Sequence, residues 1–84
     1  MHRFEIDAIP DAQSLPRVVN FFAQRALIPA ATTMRLLPTH MRIEIVVAGL
    51  NAAQAAVIAA KLDEGVAVLR SDVAAVDLPL RLAG

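Results

Sequence analysis

The chain's 84 residues suffice for one small domain and not for two. It has no cysteine, which excludes disulfides, thiolate metal sites and cysteine nucleophiles together. Eight Lys and Arg balance eight Asp and Glu, so net charge recruits neither nucleic acid nor an anionic membrane. Hydrophobic residues make up 57% of the chain, against roughly 45–50% in an average soluble domain. A domain this small hides a modest share of its surface, so part of the excess is expected to lie under another subunit.

Residues 3–9 alternate, with Phe4, Ile6 and Ala8 on one side and Arg3, Glu5 and Asp7 on the other. That pattern predicts a strand with one face on a core and one in water. Pro10 and Asp11 end it. A helix is expected from Ser14, whose hydroxyl would accept from a free first-turn amide, with Pro16 where a missing N–H costs nothing. Leu15, Val18, Val19, Phe22 and Ala26 form its apolar stripe. Phe21 lies on the margin of that stripe and is a candidate subunit contact. Pro29 ends the helix, because the residue before a proline resists the α region.

Residues 30–37 read as a second strand, more weakly alternating than the first. Pro38, Thr39 and His40 form a short connection that returns the chain as a hairpin. Residues 42–48 begin by alternating charged and β-branched side chains and then turn wholly apolar, the mark of a central strand. Asn51 is the expected N-cap of a second helix over residues 52–62, which is alanine-rich and apolar almost all round except Gln54 and Lys61. A turn at residues 63–65 leads to a fourth strand at residues 66–70. From Ala74 onward, Val76, Leu78, Leu80 and Leu82 alternate with Asp77, Pro79 and Arg81. Pro79 confines that segment to an edge or to the outside of a sheet. The chain therefore divides into a domain at residues 1–73 and a tail at 74–84. The tail is either an arm laid on its own domain or a neighbour, with Leu78 and Leu80 as contacts, or free.

The order strand, helix, strand, strand, helix, strand suits an α+β, ferredoxin-like sandwich with a four-stranded antiparallel sheet and two helices on one face. Right-handed crossovers place the first and third strands in the middle. Arg3, Glu5, Asp7, Arg42 and Glu44 then share the uncovered face. The open edge strands invite a side-by-side homodimer.

No residue set specifies catalysis. Glu5, Asp7 and Glu44 are interleaved with arginines on a wet face, where nothing raises a carboxylate's pKa. His2 and His40 lack partners at ligand spacing and read as surface histidines, so no metal and no cofactor are expected. Of three phenylalanines, Phe21 and Phe22 fall on a helix and Phe4 points to the core, which leaves no base-stacking platform for RNA. The first residues lack the apolar core of a signal peptide, and no apolar run reaches the roughly 18 residues of a membrane span. A soluble cytoplasmic protein is the expectation.

Leu15, Arg17, Val18, Phe22, Ala23 and Arg25 fall without a gap on positions of an opening pattern, Asp-Arg-Pro-Gly-Val-Leu-Ala-Arg-Val followed by a Phe-centred helix and Arg-Gly-Ile-Asn-Ile. On these residues and the element order over residues 3–71, the chain resembles the ACT-domain family of small regulatory modules. Its short single-domain length is most like that of the small regulatory subunits of acetolactate synthase. The resemblance implies a homodimer that binds an amino acid or related metabolite where subunits meet and modulates a biosynthetic enzyme. It implies ligand contacts at Asp11, Ala12, Gln13, Ser14, Leu15, Leu27 and Ile28, and interface contacts at Phe21, Arg25 and Thr33. The chain departs from the pattern at Gln13, where the family has its ligand-facing glycine, and at Ala26 and Ile28, where it has Gly and Asn. A side chain at Gln13 fills space and restricts the backbone. The alternative is therefore a ligand-free dimerisation or interaction module of the same fold.

Overall fold

In the computed structural model, which describes residues 1–76, β1 (His2–Ala8), α1 (Ser14–Gln24), β2 (Pro29–Leu36), β3 (Met41–Val47), α2 (Ala52–Asp63) and β4 (Val68–Ala75) follow one another. The four strands form one antiparallel sheet in the order β2-β3-β1-β4. The two central strands are the two with the cleanest alternation. Phe4, Ile6, Ala8, Ile43 and Ile45 are fully buried on one side, where they meet Val18 and Phe22 of α1 and Ala55, Ile58 and Leu62 of α2. Both helices therefore lie on that side, and the sandwich is ferredoxin-like as expected. Phe22 stands edge-on to Phe4, with ring centroids 5.2 Å apart, a geometry the ring quadrupoles favour.

The helix ends are built locally. Asn51 caps α2 through a complete capping box: its side chain accepts from the Gln54 N–H at 2.8 Å, and the Asn51 N–H donates back to the Gln54 side chain at 3.0 Å. At the other end of α1, Ala26 N–H donates to the Ala23 carbonyl and Leu27 N–H to the Phe22 carbonyl, the paired bonds of a Schellman turn. Such a turn requires a left-handed residue, and Ala26 supplies it at φ 58°.

Several expectations are corrected. Ser14 does not cap α1. The cap position is Gln13, without a side-chain hydrogen bond, while Ser14 is fully buried and its hydroxyl donates to the Ile9 carbonyl at 2.7 Å. Ala26 lies beyond the helix, and Val19 on its stripe is 37% exposed. The fourth strand starts and ends later than its β-branched run suggested, at Val68–Ala75, because pairing with β1 extends through Ala74 and Ala75 to Arg3 and His2. Leu78 and Leu80 lie outside the described residues.

β2 is bare on both sides. Met34 and Leu36 share the helix-facing side with Ile43 and Met41, yet they are 42% and 68% exposed because neither helix reaches over them. Its weak sequence alternation reflects that: no face of this strand is selected for burial.

Candidate functional site

The seven residues implied as ligand contacts fall into two groups. Residues 11–15 form the connection from β1 into α1, whereas Leu27 and Ile28 follow the far end of the helix. The helix runs from Ser14, inside the first group, to Gln24, just before the second, and its nine residues from Pro16 on rise roughly 14 Å at 1.5 Å each. No single copy of the chain brings the two groups together.

Within the first group, the backbone is already occupied. The Asp11 carboxylate accepts from the Gln13 N–H at 2.8 Å, and the Asp11 carbonyl accepts from the Ser14 N–H at 3.0 Å. Pro16 has no N–H to offer, so the start of α1 presents few free donors to an anion. Asp11, Ala12 and Gln13 are exposed, Leu15 packs partly against the core, and Ser14 faces inward. In the second group Leu27 packs against the core, while Ile28 is 86% exposed.

The implied interface residues are also separate. Phe21 is half-buried beside Phe22, with ring centroids 5.6 Å apart. The Arg25 guanidinium lies 3.6 Å from the centre of the Phe21 ring, and it donates to the Phe21 carbonyl at 3.2 Å. Thr33 is exposed on β2 and donates to Glu44 at 3.4 Å.

Two apolar clefts were not anticipated. One, of about 130 Å³, lies between α1 and the turn into β4, lined by Arg17, Val18, Phe21, Leu62 and residues 65–68. The other, of about 450 Å³ and wide open, lies between the end of α1 and the start of α2, lined by Arg25, Leu27, Leu50, Ala53, Gln54, Val57 and Ile58. The position of Phe21 on the stripe's margin was the only sequence signal for the first. The second joins residues whose proximity is set by the packing of the two helices.

The uncovered face carries the expected charges, in pairs. Arg42 donates to Asp7 at 2.7 Å and lies 3.8 Å from Glu5. The hydrogen bond to Asp7, and then the nearby acidic charges, push the Arg42 guanidinium above its ordinary value; Asp72 does the same for Arg70. His40 is not a free surface histidine: its ring is half-buried, with Nε2 3.5 Å from the Asp7 carboxylate. His2 is likewise half-buried, and its Nδ1 has no hydrogen-bond partner among the described residues. Among the described residues, no three His, Asp or Glu side chains gather as a metal site, and no helix is long and apolar enough to cross a membrane.

Compared with known families, residues 1–80 match the ACT-like domain. No curated protein matches the chain.

Proposed function

The chain belongs to the ACT-like domain family, and from that membership we propose that it works as a homodimeric regulatory module of amino-acid biosynthesis. An amino acid or related metabolite is held where two copies meet, and the dimer modulates an enzyme in the manner of an acetolactate synthase small subunit. It acts in the cytoplasm and has no catalytic residues of its own. The supporting observation is the split site. Residues 11–15 and Leu27–Ile28 stand at opposite ends of α1 in one copy, and a two-fold axis beside the helix and perpendicular to it would set the start of one α1 near the end of the other.

A second reading, a ligand-free interaction module, is favoured by the Gln13 side chain at the helix start and by the Asp11 carboxylate that already fills it. Calorimetric titration with a panel of amino acids separates the two readings. Heat and a raised melting temperature for one of them support the regulatory reading. Silence across the panel, with dimerisation intact, leaves the interaction module.

A further inference from the structure

Arg25 is held in place by its own chain and has no acid to answer it. Its guanidinium lies 3.6 Å from the centre of the Phe21 ring, and Nη1 donates to the Phe21 carbonyl at 3.2 Å. Those two contacts fix a long side chain in advance, so an anion that meets it has less rotamer freedom to remove. No carboxylate among the described residues lies within ion-pair distance of Arg25. Its Nε–H and Nη2–H groups, the two prongs that fit a carboxylate, have no acceptor among them either.

Arg25 lines the cleft of about 450 Å³ between the end of α1 and the start of α2, a volume within the roughly 300–1,000 Å³ of small-molecule sites. The walls are apolar: Leu27 and Leu50 are half-buried, Ala53 is exposed, and Val57 is 59% exposed. The one other polar side chain is Gln54, whose Oε1 accepts from the Asn51 N–H at 3.0 Å, which leaves its NH2 group as a donor. No Asp or Glu is in the lining. The cleft thus offers donors to one anionic head and a bare apolar wall to a hydrocarbon body. It has nothing to balance a second charge of either sign.

We propose that this cleft binds an apolar monocarboxylate that carries no ammonium group. The carboxylate is forked on Nε and Nη2 of Arg25, and the hydrocarbon lies on Leu27, Leu50, Ala53 and Val57. An amino acid of the same skeleton is disfavoured, because its ammonium ion stands beside the guanidinium with no acid to offset it. Leu27 is the one residue shared with the split site at the ends of α1. The cleft needs neither a second copy nor residues 11–15, so its failure and the failure of the regulatory reading are separate results.

The test follows backbone amide shifts by NMR in the isotope-labelled full chain during titration with isocaproate, leucine and isocaproamide. The three share one branched skeleton and differ in the head. Isocaproate should give saturable shifts at Leu50, Ala53 and Val57 with a dissociation constant of about 1 mM or tighter. Leucine should bind there at least about fivefold more weakly, and the uncharged amide at least about tenfold. Arg25→Gln should weaken isocaproate binding at least about tenfold, and Ala53→Glu, which sets a like charge in the cleft, should abolish it. Both variants change exposed side chains, and unmoved core amides in their spectra report that they are folded. No saturable shift with isocaproate, or shifts centred on residues 11–15, overturns the site. Leucine or the amide binding there as tightly as isocaproate, or full affinity in Arg25→Gln, overturns the ligand class.

Discussion

Ala26 holds a left-handed backbone at φ 58° to complete the turn after α1, and replacing it with glycine should stabilise the fold. A Cβ in that region costs roughly 1–2 kcal/mol. Glycine forfeits about 0.4–1 kcal/mol of that gain by giving the unfolded chain more freedom. The Ala26 side chain is exposed, so no packing is lost with its methyl. The net gain is about 0.5–1 kcal/mol, or ~2–8 °C in melting temperature for a domain of this size. Urea unfolding at matched protein concentration reads it as a higher midpoint with an unchanged slope. Ala26→Val, with a branched Cβ in the same conformation, should move the midpoint the other way. An Ala26→Gly protein less stable than the parent by about 0.5 kcal/mol or more would refute the assignment of strain to this residue.

Leu36→Lys should split the dimer while leaving the monomer folded. Leu36 is 68% exposed, and covering the remainder in two symmetric copies contributes roughly 2–4 kcal/mol per dimer, a loss of about 30- to 700-fold in dimer affinity by sedimentation equilibrium; a change under about threefold contradicts it. Asn51→Ala removes one half of the α2 capping box and should cost about 1 kcal/mol in denaturant unfolding, against almost nothing if the cap is dispensable. Gly49→Ala should cost about 0.5–1 kcal/mol by the same assay, a backbone strain of roughly 1–2 kcal/mol offset by the about 0.4–1 kcal/mol that alanine contributes by restricting the unfolded chain: Gly49 sits at φ 86°, and an added Cβ would meet nothing within 4 Å.

How legible these features were depended on their range. The alternation in residues 3–9 and 42–48 placed two strands with the correct face inward, because period-two burial is written in consecutive residues. Asn51 was readable as a cap because both halves of its box lie three residues apart. Ser14 was misread for a physical reason: a hydroxyl before a helix can accept from an amide or donate to a carbonyl, and here the carbonyl is that of Ile9. The end of β4 was set by β1, far away in sequence, so the local β-branched run misplaced it. Ala26 stands where the family pattern has glycine, and the left-handed turn gives that position its meaning. The contact of His40 with Asp7 came from the joining of β3 to β1, which no spacing encodes.

Effector binding at a site split between the two ends of α1 is proposed to require two copies. Its most direct measurement is the heat of titration of the amino-acid panel into the parent chain and into the monomeric Leu36→Lys variant at equal concentration. Binding to the parent and none to the monomer is the expected result. Binding of undiminished strength to the monomer, or none to the parent for any amino acid, would contradict it.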